Sequence, residues 1–202
     1  MPSLPPEILT ALVVFSATSS ITPGPNNTML MASGVNFGVR RTVPHMAGVS
    51  LGFFVLTVAT GLALGGLFAA YPPLHGVLKI VGATYLLYLA WKISRSGEVV
   101  AGDAARPQTF WQAVAFQWVN PKAWAMALGA VTAYAPADDY AVNVLLVAIV
   151  LSLVGLPFIV GWTAFGAVLR GMLADPGRRR MFNWTMAGLL AASVVAILLH
   201  QP

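Results

Sequence analysis

Long apolar runs separated by short polar clusters dominate the chain. No charged residue lies between Glu7 and Arg40, between Arg41 and Lys79, between Asp139 and Arg170, or after Arg180. A helical bilayer crossing takes about 20 mostly apolar residues, so each gap holds at least one crossing. The pattern predicts six helices, at about 8–32, 45–70, 74–93, 110–134, 141–169 and 181–199. Gly, Pro, Asp and Arg crowd the connections, as turn chemistry requires. The expected fold is all-α and membrane-embedded, six transmembrane helices in a single domain over 1–202.

Loop charges add an orientation. Arg40 and Arg41 follow helix 1; Lys92, Arg95 and Arg106 surround the connection after helix 3; Arg170, Arg178, Arg179 and Arg180 lie between helices 5 and 6. The connections after helices 2 and 4 hold no Lys or Arg, and the latter carries Asp138 and Asp139. Basic loops stay cytoplasmic, so both termini are expected outside. Three helices on each side of the middle connection make two halves, about 1–95 and 108–202, of opposite orientation. That is the arrangement of an inverted-repeat transporter.

Composition agrees and narrows the function. Charged residues are 8% and hydrophobic residues 58% of the chain, against roughly 25% charged in a soluble domain. So few charges cannot clothe a water-facing surface. The net charge of +5 sits in short loops without aromatic interleaving, which argues against nucleic acid as a partner. The absence of cysteine excludes disulfides, thiolate metal sites and thiol redox chemistry. Met1 to Pro6 lacks the basic residues of a secretory n-region, so the apolar run from Ile8 is expected to be a retained helix.

Two predicted spans are interrupted. Helix 1 contains Thr22-Pro23-Gly24-Pro25-Asn26-Asn27, and helix 4 contains Gln117-Trp118-Val119-Asn120-Pro121-Lys122. Proline donates no backbone hydrogen bond and its ring clashes with the carbonyl four residues back, which here means Ser19, Ile21 and Gln117. Freed backbone groups at membrane depth are tolerated only beside protein or a wet cavity. Paired interruptions at corresponding places in two halves point to the binding site of a secondary transporter. Lys122 stands near the middle of helix 4, and no Asp or Glu falls within any of the six spans. An ionisable group at that depth is costly and usually functional. Its partners are expected to be backbone carbonyls and asparagine oxygens, or the carboxylate of a bound substrate.

These motifs resemble those of the lysine exporter (LysE/RhtB) family of bacterial amino-acid efflux proteins, through all six helices. The resemblance rests on the two interrupted motifs, on Gly38-Val39-Arg40-Arg41 with Gly48-Val49-Ser50-Leu51-Gly52-Phe53, and on the stretch from Gly82 through Tyr85 to Lys92. Within the family the chain looks most like the cysteine/O-acetylserine exporter branch. The resemblance implies a multi-pass inner-membrane protein that moves amino acids or their derivatives outward, coupled to the proton gradient, with no enzymatic activity and no cofactor. A homodimer is a further expectation.

The expected substrate site comprises Thr22, Pro23, Gly24, Pro25, Asn26, Asn27, Gln117, Asn120, Pro121 and Lys122. A substrate carboxylate would meet the positive end of the half-helix starting near Pro25, with Lys122 as a second positive group. Its ammonium would meet freed carbonyls and the asparagine side chains. The spacings Gly48-x-x-x-Gly52 and Gly61-x-x-x-Gly65 would let helices approach closely. Lys122, and less centrally His45, are the candidates for carrying a coupled proton. Rival classes fit less well. A divalent-metal or other ion exporter would want carboxylate, His or Cys ligands in the spans. A membrane scaffold or assembly protein has no need of broken helices, and a membrane enzyme would show acid–base pairs or a nucleophile motif.

Overall fold

A computed structural model describes residues 4–64, 73–95 and 106–199. Seven α-helices account for most of them, with no strand among the described residues: α1 (Pro6–Ile21), α2 (Pro25–Ala59), α3 (Pro73–Ser94), α4 (Phe110–Gln117), α5 (Pro121–Tyr134), α6 (Tyr140–Met172) and α7 (Pro176–Leu199). A π-helical turn, Thr60–Leu64, extends α2.

Five of the seven helices begin on proline. The first turn of a helix has no acceptor for its N–H groups, so proline loses nothing there and its fixed φ suits the helix. Pro25 and Pro121 therefore start new helices; they do not sit as kinks within old ones. Of the other starts, α4 has a capping box in which Thr109 Oγ1 accepts from the Gln112 amide and the Gln112 side chain accepts from the Thr109 amide. Asp139, before α6, adopts a left-handed conformation with φ 51°.

The expected connection over 33–44 is not a loop. Helix continues through it, broken only at Gly38 with φ 77° and ψ 169°. A positive φ of this kind is costly for residues with a Cβ. The side chains of Ser33 and Thr42 meet across the bend at 3.0 Å, and Thr42 also donates to the Gly38 carbonyl. The last part of predicted helix 2, over 65–70, lies outside the described residues.

α2 is the axis of the molecule. Every residue from Asn27 to Val35 is buried. Gly34 crosses α6 at Thr163 and Ala167, and Gly166 crosses α2 at Met31, so closely that a Cβ at either glycine would overlap a backbone carbonyl. Gly48 and Gly52 seat the second half of α2 against Phe110, Ala113 and Val114 of α4 in the same manner. Gly61 abuts Val144, and Gly65 lies outside the described residues. α3 packs mainly on α7, and α1 on α6. Among the described residues, two helices, α6 and α2 continued to Leu62, are long and apolar enough to cross a bilayer, and α1 is a shorter apolar helix. Leu153, Phe165, Trp91, Trp111 and Trp184 are exposed, an outward wall that suits lipid better than water.

Candidate functional site

The chain leaves helical geometry at Thr22 and re-enters it at Pro25. It does so again between Trp118 and Pro121. Ending a helix strands its last carbonyls, whether or not a proline follows. The first break is stapled by Asn27, whose Nδ2 donates to the carbonyls of Ser20 at 2.8 Å and Thr22 at 2.9 Å. Trp162 Nε1 adds a second donor to the Ser20 carbonyl at 3.3 Å. At the second break, Asn120 Oδ1 caps α5 by accepting from the Lys122 amide at 3.2 Å. Turn bonds from Trp118, Val119 and Asn120 tighten the end of α4.

The two breaks meet. Lys122 Nζ donates to the carbonyl of Thr22 at 2.6 Å and reaches that of Pro23 at 3.4 Å. Asn26 Nδ2 donates to Gln117 Oε1 at 2.9 Å, and Gln117 Nε2 returns a bond to Asn26 Oδ1 at 3.2 Å. Asn26 and Lys122 each follow the first proline of their half-helix, and each reaches the C-terminal end of the opposite one. Gln117 is fully buried and Asn120 almost so.

A cleft opens beside this junction, with about 580 Å³ of space not filled by atoms, its open mouth included. Gly24, Asn26, Asn27, Asn120 and Lys122 line it. Thr22 and Pro23 supply the carbonyls that Lys122 reaches, Gln117 pairs with Asn26, and Pro25 and Pro121 open the two half-helices. All ten sequence-derived site residues are thus brought together, though Asn26, Asn27 and Asn120 spend much of their hydrogen-bonding capacity on the breaks themselves. The engaged carbonyls of the first break are those of Ser20, Thr22 and Pro23, where the sequence pointed to Ser19 and Ile21. The chain departs from the helix at Thr22, and that departure decides which carbonyls face outward.

Sequence reasoning missed four hydroxyls on the wall, Ser19, Ser20, Ser50 and Ser152. Their only signal was a small polar residue within an apolar run. Of the aromatic side chains near the second break, Phe53 lines the cleft. Trp118 and Trp124 instead pack edge-to-face, with Trp124 Nε1 bonded to the Trp118 carbonyl, and Tyr85 stacks on Phe116.

The cleft is electrically two-sided. The starts of α2 and α5 present the positive ends of two helices, with the Lys122 ammonium beside them. The end of α1 presents carbonyl oxygens. No Asp or Glu is among the described residues that line it. Such an arrangement can hold an anion and a cation a few ångströms apart.

Comparison with known proteins gives a consistent picture. The profile of the LysE type translocator family matches residues 17–201. The chain is 30% identical to the cysteine/O-acetylserine efflux protein of Escherichia coli (strain K12) over 193 residues, 95% of this chain and 98% of that protein. It is 31% identical to the protein of that name from Salmonella typhimurium over 194 residues, with 95% and 98% covered. For the Klebsiella pneumoniae protein of that name the identity is 27% over 196 residues, with 96% and 99% covered. No solved structure matches the chain.

Proposed function

This chain belongs to the LysE type translocator family, a family of transporters and not of enzymes, and on that premise we propose that it exports a zwitterionic amino acid or amino-acid derivative across the inner membrane. The substrate class follows the cysteine/O-acetylserine efflux proteins, with which it shares nearly its whole length. The observation that carries the reading is the junction of the two breaks, where Lys122 of one half grips the freed Thr22 carbonyl of the other.

The substrate carboxylate sits at the starts of α2 and α5, near Asn26, Asn27 and Lys122, where two helix ends and an ammonium favour negative charge. The substrate ammonium takes the carbonyls at the end of α1. A bound carboxylate competes with Thr22 and Pro23 for Lys122, so occupancy loosens the bond that ties the halves together. That supplies the differential interaction an alternating-access cycle needs.

In this reading α1 with residues 25–37 forms the first span, residues 39–64 and beyond the second, and α3 the third. α4 with α5, α6 and α7 repeat them in inverted orientation. The packing supports this. α1 lies on α6 through Ser16–Leu151 and Ser20–Gly155. Its counterpart α4 lies on the second half of α2 through Ala113–Gly48 and Gln117–Gly52. α3 and α7, the last helices of the two halves, pack on each other. Gly38 lies against the Arg170 guanidinium, so two of the basic connections share one end of the molecule, which the positive-inside rule puts in the cytoplasm. Leu4 belongs to one packed cluster with Val131 and Val144, near the acidic connection, which supports a start of α1 at the opposite, outward end. The proton gradient drives the cycle.

The test is efflux of radiolabelled O-acetylserine and cysteine from cells lacking their own exporters. Wild type is expected to lower the cellular pool, Lys122→Ala to lose the activity at least tenfold, and Asn120→Ala to lose part of it. Wild-type efflux by both variants, at equal expression, overturns the assignment of the site. A protonophore is expected to abolish efflux, and undiminished efflux in its presence removes the proton gradient as the driver.

A further inference from the structure

A hydroxyl within a helix can bond the backbone carbonyl one turn back, and in apolar surroundings it has little else to bond. Thr10, Thr57, Thr84, Thr163 and Thr185 all take that bond, at 2.8 to 3.0 Å. Ser16 of α1 instead crosses to α6 and donates to the Leu151 carbonyl at 3.3 Å. Ser152, the next residue along α6, does neither. Its Oγ is buried and has no hydrogen-bond partner among the described residues, and Ser152 lines the central cleft. Buried polar groups are rarely left unpaired, and each orphan asks what answers it.

The surroundings narrow the answer. α6 gives the cleft Leu151, Ser152, Gly155, Phe158 and Ile159, and Ser152 is the one polar side chain of the five. Gly155, a turn further along, stands against α1, with Ser20 Oγ 3.5 Å from where its Cβ would be. Ser19 of α1 and Ser50 of α2 also line the cleft. Each hydroxyl can donate one hydrogen bond and accept two. The substrate's two charged groups already have their places in the export reading, at the helix starts with Lys122 and at the end of α1. Its side chain is what remains for the serines.

Each class of side chain meets them differently. A cationic one adds charge to a cleft that already holds the Lys122 ammonium and is lined by no Asp or Glu among the described residues. An anionic one brings a second negative charge and finds only neutral hydroxyls. An apolar one seals the Ser152 hydroxyl away without a partner, which is unfavourable. A neutral side chain with an acceptor oxygen answers it: a carbonyl oxygen accepts well, a thiol sulfur weakly. We infer that Ser152 is a specificity-determining residue of the cleft, donating to a neutral acceptor oxygen on the substrate's side chain, such as the carbonyl of an O-acyl ester. The inference rests on the export reading above and assigns the side-chain end of that same site.

Two amino acids of similar length test it. O-acetylserine carries an ester carbonyl, and norleucine has methylene groups in its place. Purified protein is reconstituted in liposomes loaded with one or the other, radiolabelled, and initial efflux rates over a concentration series give the maximal rate and KM for each. Wild type is expected to favour O-acetylserine at least tenfold in the ratio of maximal rate to KM. Ser152→Ala is expected to cut that preference at least fivefold, through a higher KM for O-acetylserine, and Ser152→Cys, a weaker donor of similar shape, to fall between the two. Ser152→Ala breaks no hydrogen bond among the described residues, and alanine suits a helix better, so its unfolding temperature without substrate is expected to match or exceed that of wild type. A merely structural role depresses both substrates alike and leaves the preference intact. An intact preference in whichever of the two variants folds hands the hydroxyl to water and overturns this inference alone, as does a wild type that exports the two amino acids equally well. Efflux of neither amino acid, nor of cysteine, by wild type overturns the export reading and this inference with it.

Discussion

Lys122 Nζ lies 2.6 Å from the carbonyl oxygen of Thr22, a residue 100 positions earlier in the chain. The bond joins the first turn of α5 to the carbonyl end of α1, a cation on the negative end of a helix. Gly24 makes it possible, because a Cβ built there would sit 2.8 Å from Lys122 Cδ and 3.2 Å from Nζ. Gly24→Ala is therefore expected to push the lysine off its carbonyls and cut efflux several-fold without lowering expression. The backbone of Gly24 is extended, so alanine adds no conformational strain and the effect is steric. Normal efflux by folded Gly24→Ala would show that the contact does not matter to transport.

The Asn26–Gln117 pair predicts an asymmetric mutational cycle. Gln117 is fully buried, whereas Asn26 lines the cleft. Asn26→Leu strands Gln117 Oε1 in a dry site and should cost about 1–3 kcal/mol. Gln117→Leu should cost less, since Asn26 can turn to water in the cleft. The double variant should be more stable than the sum of the single losses implies. Thermal unfolding in detergent measures all four proteins, and equal, additive losses would contradict the pairing.

The crossing of α2 and α6 should tolerate no side chain. Gly34→Ala drives a methyl into the Thr163 carbonyl, and overpacking of this kind costs about 1–3 kcal/mol or more. Gly188→Ala is the control. Nothing lies within 4 Å of its Cβ position, and alanine is the better helix former by about 1 kcal/mol. The apparent Tm is expected to fall sharply for the first and to hold or rise for the second.

The absence of native cysteine makes the orientation directly measurable. Ala137 lies exposed in the acidic connection and Gly171 at the basic end. A membrane-impermeant maleimide applied to whole cells is expected to label Ala137→Cys, and to label Gly171→Cys only after the membrane is opened. The reverse pattern inverts the topology.

The amino-acid sequence by itself determined where the chain is apolar and where its helices must stop. Both are local matters: transfer of side chains from water to lipid, and the missing amide of proline. It thereby located Thr22–Asn27 and Gln117–Lys122, and the need for carbonyl partners around Lys122. Only the tertiary structure decided which carbonyls those are, that Asn26 pairs with Gln117, and that residues 33–44 are helix folded at Gly38. It also brought His45 of α2 and Gln108, just ahead of α4, to one cavity wall. These outcomes depend on packing between segments far apart along the chain, where glycine contacts such as Gly34 on Thr163 set the approach. No local propensity records which distant backbone a small residue will meet.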